Sequence, residues 1–179
     1  MEGYFERQSV PVAVDPQIKL PPALKGAFDS NSRNQQILEK IQFDWKQQGL
    51  KLELSNMDWK AYLKELKTNP PQIFRMGWLA AFPDPISHLQ ALTSKNPNNL
   101  TGWTHPRYDA LVSEIEKLEP GQERAAKIIE AQTLLLDREC PVVPLFHYVQ
   151  THAVSGRVQN FAVNGMGVIR WQELNLKDQ

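Results

Sequence analysis

An α/β fold, with a mixed sheet flanked by helices, is predicted by the order of hydrophobic patterns along the chain. Apolar residues recur at helical spacing over 37–45 and over 59–66, whereas residues 50–54 alternate between apolar and polar with a period of two. Together with β-like stretches at 24–28 and 72–79, these patterns give the order strand, helix, strand, helix, strand. Crossovers of this kind place helices over the faces of a sheet.

Turn and capping residues indicate where these elements begin and end. Prolines within 10–22 predict an extended connector, which we assign to residues 1–21. Side-chain oxygens at 29–32 are suited to cap the first helix, and Gly49 suits the left-handed position on which a helix often stops. Asp58 is the expected cap of the second helix, and the Asn-Pro-Pro sequence that follows this helix prevents it from continuing.

The second half of the chain is predicted to be helical and then β-like. A short apolar helix is expected around 86–92. Two longer helices are expected to begin at Pro106 and Pro120, since proline is favoured in the first turn of a helix. Three later stretches are rich in branched and aromatic residues and are predicted to be strands. These stretches are 142–149, 151–155 and 168–176.

Composition excludes several classes of function. The chain has 179 residues, 41% of them hydrophobic and 22% charged, which is typical of one globular domain. Its 20 basic residues balance 20 acidic residues, so no net positive field is present to hold nucleic acid or an anionic membrane surface. The sequence contains neither a bilayer-spanning apolar run nor a signal peptide.

Catalytic and metal-binding motifs are not found in the sequence. The P-loop, the nucleophile elbow, the zinc-protease motif and Cys-x-x-Cys are all missing, and the four histidines lack the spacing that pairs imidazoles on a helix. Cys140 and His147 could form a thiol and imidazole pair, but the expected role of Cys140 is that of a small buried hydrophobe. We therefore expect no catalytic residue, no metal site and no cofactor.

Binding chemistry is concentrated in residues 74–85. Arg75, at a predicted strand end, would present a planar fork of donors that matches a carboxylate, and Trp78 would provide a flat apolar wall. Gly77 would let a ligand approach the backbone. The alternative is that Trp78 and Phe82 are core aromatics and that Arg75 is a paired or solvated charge. The residues alone leave both interpretations open.

An ordered series of short motifs runs through most of the chain. The series comprises W-K-Q-Q-G-L-K-L-E-L at 45–54, M-D-W-K-A-Y-L at 57–63, Gly77-Trp78, F-P-D-P at 82–85, Asn99, P-R-Y-D-A-L-V at 106–112, Glu123-Arg124 and P-V-V-P-L-F at 141–146. Each motif is weakly specific, but the ordered set resembles the C-terminal part of the oligopeptide- and dipeptide-binding proteins that serve ABC importers. These are extracellular solute-binding proteins of family 5.

The resemblance implies one lobe of a two-lobed, type II periplasmic-binding-protein fold. Residues 22–148 would form the C-terminal ligand-binding lobe, and residues 149–179 would be a return segment that packs on a first lobe. That first lobe and a signal peptide would lie upstream of Met1. The implied partners are a peptide or other small solute and, for the full-length protein, ABC permease subunits, in a periplasmic or other extracytoplasmic location. Neither a nucleic-acid partner nor membrane insertion of this segment is expected.

The resemblance also implies ligand-binding roles for Arg75, Trp78, Ala81, Phe82 and Asp84. Arg75 is similar to an arginine that meets a peptide carboxylate in some members, and Trp78 is similar to a tryptophan that lines the pocket. The family's aspartate for the peptide α-ammonium falls at Ala81, which offers neither charge nor a side-chain acceptor. Asp84 corresponds to the other aspartate of the motif, and its expected role is to shape the turn that follows.

The predicted function is therefore non-catalytic capture of a peptide or related solute for an ABC importer. Because nothing at Ala81 would hold a free amine, a blocked, longer or non-peptide ligand also fits. Two alternatives stay open. One is an interaction or regulatory module that keeps the fold without binding peptides, which Ala81 favours. The other is a hydrolase fragment, for which the sequence supplies no triad by spacing.

Overall fold

A three-stranded parallel sheet organises the first part of the chain. Its central strand, β1 (Leu24–Asp29), lies between β2 (Leu52–Met57) and β3 (Ile73–Phe74). β1 pairs along its whole length with β2, and at Gly26 and Ala27 it pairs with β3. A Cβ atom on Gly26 would lie 3.0 Å from the side chains of two leucines of β2, so glycine is what allows these leucines to cover the strand.

The computed structural model describes residues 22–177, and the connector predicted at 1–21 lies outside the described residues. The chain divides into two compact units, the first ending at Gly77 and the second beginning at Trp78. This boundary differs from the predicted division into a lobe, residues 22–148, and a return segment, residues 149–179. The bounds of the lobe and of the return segment remain a prediction. None of the helices within the described residues is long and apolar enough to cross a membrane.

Two helices make the crossovers between the parallel strands, and both begin at the predicted caps. The side chain of Asn31 accepts a hydrogen bond from the backbone at the start of α1 (Ser32–Gln47). Asp58 does the same for two backbone N–H groups of α2 (Trp59–Thr68). Gly49, with φ of 79°, follows the end of α1 in the predicted left-handed conformation. The strand, helix, strand, helix, strand order is thus confirmed.

β3 is much shorter than the strand predicted over 72–79, because only two of its residues pair. β3 lies at the edge of the sheet, where β1 is its one partner among the described strands. The N–H of Arg75 still donates to the carbonyl of Ala27 at 3.2 Å, after which the chain leaves the sheet. The apolar residues beyond this point extend the β-like sequence pattern, but no strand of the described chain pairs with them.

The second unit has a helical core. α3 (Ile86–Leu89) continues into a 3₁₀ turn, α4 (Pro106–Ile115) begins at the predicted proline, and α5 (Gln122–Thr133) continues into a π-helical turn. The helix expected at Pro120 begins two residues later than predicted, after Gly121. One cluster of buried side chains joins these helices. Its members are Ile86, Leu89, Tyr108, Leu111, Val112, Ile115, Ala131 and Leu135.

Most of the strands predicted after residue 141 do not form. Residues 142–149 and 151–155 are irregular, and of 168–176 only β5 (Asn175–Leu176) is a strand, which pairs antiparallel with β4 (Val158–Gln159). Branched and aromatic residues favour strands because they fit a half-buried pleated surface. Without a neighbouring sheet in the described chain, their side chains stay largely exposed instead.

Tyr62 of α2 ties the sheet to the chain that follows it. Its ring is fully buried, and its hydroxyl lies 2.6 Å from the carbonyl of Arg75 and 3.3 Å from that of Ala27. Burial, with a smaller contribution from the negative charge of Asp29, raises the pKa of the Tyr62 phenol well above its ordinary value. The phenol therefore serves as a neutral hydrogen-bond donor.

Tyr62→Phe is expected to lower the free energy of unfolding by about 1–2 kcal/mol, because a buried carbonyl loses its donor. The folded phenol keeps its proton at a pH where the unfolded chain loses it. Its stabilising contribution is therefore complete below the ordinary tyrosine pKa of about 10 and declines as the pH rises above that value. Urea unfolding at neutral and alkaline pH measures both effects. Tyr148→Phe, on a half-exposed ring, is the matched control, and equal stability of wild type and Tyr62→Phe would contradict the assignment.

Candidate functional site

A charged cluster lies at the carboxyl end of the parallel sheet in the first unit. Asp29 is the last residue of β1 and Arg75 follows β3. Because the two strands are parallel, both residues lie at the carboxyl end of the sheet. Nη1 of Arg75 lies 3.9 Å from Oδ1 of Asp29, and their side chains are 15% and 18% exposed. The Asn34 amide donates to the same Asp29 oxygen at 2.7 Å. Open α/β sheets bind ligands at this edge.

Two neighbours determine how Arg75 is presented. The Tyr62 hydroxyl donates to the backbone carbonyl of Arg75, which fixes the position of the Arg75 backbone from which the guanidinium side chain extends. A Cβ atom on Gly77 would lie 3.5 Å from Nη2 of Arg75, in ordinary van der Waals contact, so the guanidinium lies beside Gly77. Chemically, the arrangement suits recognition of a carboxylate, with the charge of Asp29 close by.

The second unit begins with an irregular loop, residues 78–84, that carries two aromatic rings. Trp78 and Phe82 are each 44% exposed, and neither belongs to the buried cluster of this unit. The alternative interpretation, in which Trp78 and Phe82 are core aromatics, is therefore wrong, because neither ring lies in the core of the second unit. Ala81 is exposed, and its methyl group offers no polar contact.

Ser87, in α3, holds this loop through two hydrogen bonds. The indole Nε1–H of Trp78 donates to the carbonyl of Ser87 at 3.1 Å. The backbone N–H of Ala81 donates to the Ser87 hydroxyl at 3.0 Å. The loop is thus attached to the helical core at two points, although it contains no regular structure of its own.

Asp84 closes the loop. Its Oδ1 atom accepts from the N–H of Ile86 at 2.9 Å and from Nη2 of Arg124 at 2.8 Å, so one carboxylate contacts both the first residue of α3 and α5. The hydrogen bond from Arg124, and after it the one from Ile86, holds the pKa of Asp84 below its ordinary value. Nε of Arg124 also donates to the carbonyl of Ile115, which links the loop to the end of α4.

Four of the five predicted site residues thus lie in one loop of the second unit: Trp78, Ala81, Phe82 and Asp84. Arg75 belongs to the first unit, and the prediction that all five line one ligand site remains a prediction. The motifs did not point to Ser87 or Asn34. The only sequence signal for Ser87 was its position two residues after Pro85, in the first turn of the helix that follows the Asp-Pro sequence.

Cys140 differs from its predicted role as a small buried hydrophobe. Its side chain is exposed, and its Sγ lies 2.9 Å from the carbonyl of Leu136. Cys140 follows the π-helical turn in a left-handed conformation, with φ of 49°, at the point where the helical backbone ends. Within residues 22–177, no group of three or more histidine, cysteine, aspartate or glutamate side chains is placed to hold a metal ion.

Asp84→Asn should destabilise the second unit at neutral pH, because the amide keeps the contact to Ile86 but loses the ion pair with Arg124. The stabilising contribution of the carboxylate is complete above the ordinary aspartate pKa of about 3.9 and disappears as the pH falls below it. Wild type and variant should therefore converge in acid. Thermal unfolding from neutral to acidic pH measures the difference, with Asp137→Asn as the exposed control. A difference that stays the same at every pH would contradict this role of the charge.

Comparison with known proteins gives the site its context. Residues 20–99 match the family described as bacterial extracellular solute-binding proteins, family 5 Middle. The oligopeptide-binding protein OppA of Bacillus subtilis is 30% identical to the chain over 158 residues, which are 87% of this chain and 29% of the relative. The chain thus spans less than a third of the length of this relative.

Solved structures show the same fold. The substrate-binding domain of an oligopeptide ABC transporter from Bacillus anthracis gives a TM-score of 0.73 at 16% identity, covering 87% of this chain and 31% of that one. Listeria monocytogenes OppA bound to peptide gives 0.68 at 18% identity, covering 90% and 31%. The predicted α/β lobe of the type II periplasmic-binding-protein fold is confirmed, and the relatives are solute-binding proteins. The chain belongs to the bacterial extracellular solute-binding proteins of family 5.

Proposed function

We propose that the chain forms one wall of the ligand cleft in a receptor that captures peptides or related solutes for an ABC importer, without catalysis. The observation that carries the proposal is the loop 78–84, which presents two half-exposed aromatic rings on a hydrogen-bonded frame. Small-molecule sites combine such apolar surface with a few fixed polar groups. Two relatives support this ligand class, since one is named an oligopeptide-binding protein and another was solved bound to peptide.

Arg75 is the proposed partner of a ligand carboxylate. Its distance of 3.9 Å to Asp29 is longer than the 2.7–2.9 Å of a charge-assisted hydrogen bond. A carboxylate that approached the guanidinium at hydrogen-bond distance would therefore make a stronger contact than Asp29 makes. Asp29 lowers the cost of holding the partly covered arginine when no ligand is present.

Recognition of a free peptide amine is not part of the proposal. Ala81 has no acceptor, and the carboxylate of Asp84 is already engaged by Arg124 at 2.8 Å, which makes it a poor substitute for the family's aspartate. A ligand whose amine is blocked, or whose amine lies away from this loop, fits the loop best.

The return segment is proposed to pack on a first lobe. Large apolar side chains along it are exposed in the described chain, among them Val149 at 87% and Trp171 at 69%. Apolar surface of this extent marks an interface. In the complete receptor, ABC permease subunits would be the protein partners. The location would be outside the cytoplasmic membrane, as for the relative named periplasmic murein peptide-binding protein.

A second candidate function is an interaction or regulatory module that keeps the fold but binds no peptide. Ala81 is the observation that favours it, because the residue removes a charge that the family uses for peptides. The two candidates differ in a measurable way: only a receptor binds tripeptides saturably, and only a receptor loses that binding when Arg75 is changed.

Arg75→Ala in the two-lobed receptor should weaken binding of the tripeptide Ala-Phe-Ala by about 1.5–3 kcal/mol, because a charge-assisted hydrogen bond is lost. Calorimetric titration measures the affinity. Arg138→Ala, at an exposed arginine, is the control and should leave the affinity unchanged. C-terminal amidation of the tripeptide should weaken binding to wild type and not to Arg75→Ala. Equal effects of amidation on both proteins would show that the carboxylate is bound elsewhere.

Ala81→Asp should raise the affinity of the receptor for Ala-Phe-Ala over its N-acetylated form by roughly tenfold, since it adds a charged acceptor for the α-ammonium. Competition binding with the two peptides gives this ratio directly. Ala80→Asp places the same charge one residue away and should leave the ratio near that of wild type. A ratio that Ala81→Asp does not change would show that the amine lies away from this loop.

A further inference from the structure

The N–H, hydroxyl and carbonyl groups of Ser87 all form hydrogen bonds with residues of the loop 78–84. Ser87 is buried in α3, and its N–H donates to the carbonyl of Asp84 at 3.1 Å. Its hydroxyl accepts from the N–H of Ala81, and its carbonyl accepts from the indole of Trp78. Three residues of the loop 78–84 are thus attached to a single buried side chain and its backbone.

These bonds determine what the loop offers to a ligand. The indole N–H is the only donor of a tryptophan side chain, and in Trp78 it is committed to Ser87. The exposed part of that side chain is therefore apolar ring with a π face, which suits aliphatic, aromatic or cationic groups. The N–H of Ala81 is also committed, so at this position the backbone does not present a donor to a ligand carbonyl or carboxylate.

We propose that Ser87 is the positioning residue of this ligand wall, holding the Trp78 indole with its N–H turned to the protein so that the wall selects apolar or cationic ligand side chains over anionic ones. The proposal rests on the proposed function in one respect, namely that Trp78 meets the ligand. The positioning itself depends only on contacts within the second unit.

The hydroxyl of Ser87 is the group to test. Ser87→Ala leaves the N–H of Ala81 without its side-chain acceptor, whereas Ser87→Thr keeps a hydroxyl at the same position. Ser113→Ala, at an exposed serine of α4, is the matched control. The backbone carbonyl that accepts from Trp78 is present in every variant, so any change at the indole reports a shift of the loop and not the loss of an acceptor.

Hydrogen exchange at two protons gives the first readout. In the 179-residue chain labelled with ¹⁵N-tryptophan and ¹⁵N-alanine, the Ala81 amide and the Trp78 indole should be protected, the latter assigned with Trp78→Phe. Ser87→Ala should speed exchange of both by roughly tenfold or more, Ser87→Thr should restore protection, and Ser113→Ala should change neither. Unchanged protection in Ser87→Ala, or exchange in wild type as fast as in an unfolded chain, overturns the proposal. Exchange in wild type as fast as in an unfolded chain overturns the proposal even if Ser87→Ala does not fold.

Titration gives the second readout and separates this proposal from the proposed function. In the two-lobed receptor, Ala-Phe-Ala and Ala-Lys-Ala should shift the Trp78 indole resonance at lower concentrations than Ala-Asp-Ala, and Ser87→Ala should reduce this preference severalfold. A preference that survives unchanged in Ser87→Ala, despite faster exchange, overturns the positioning role. If no tripeptide shifts this resonance in the two-lobed receptor, the proposed function fails, while the exchange rates in the 179-residue chain still decide whether Ser87 positions the loop.

Discussion

Satisfying the backbone is the requirement that shapes residues 75–85. The N–H of Arg75 still donates to the carbonyl of Ala27 in β1, but the backbone groups from residue 76 to the start of α3 have no strand partner within the described residues. Buried side chains supply hydrogen bonds in both units, through Tyr62 in the first and Ser87 in the second. An irregular segment held in this way keeps a defined shape before a ligand arrives, which lowers the entropy cost of binding.

The two arginines near this segment have different relationships with their aspartates. Arg124 makes a direct hydrogen bond of 2.8 Å to Asp84, and the same carboxylate accepts from the N–H of Ile86 at the start of α3, so this pair has a structural role. Arg75 lies 3.9 Å from Asp29, at the edge of the sheet where ligands bind in open α/β folds. Ligand recognition is proposed for Arg75 because it lies at this end of the sheet, whereas Arg124 links the loop 78–84 to the helices of the second unit.

Residues after 141 show how strand formation depends on a partner. Their branched and aromatic side chains predict strands, yet only two short ones form in the described chain, and many apolar groups remain exposed. A sheet edge supplied by a first lobe would provide both the hydrogen bonds and the apolar cover that these residues lack. The same exposure would also serve an interaction module, so binding measurements, and not the segment itself, distinguish the two functions.

Local signals were sufficient for much of the fold. Asn31, Asp58 and Pro106 act within one helical turn, and the sequence by itself determined where their helices begin. It also determined the family and the loop that carries the candidate chemistry. Only the tertiary structure decided that β3 would be short, that Ser87 would hold Trp78 nine residues away, and that Arg124 would reach an aspartate 40 residues away. These outcomes depend on contacts between residues that are distant in the sequence. The hydrophobic periodicity of a single segment contains no information about such contacts.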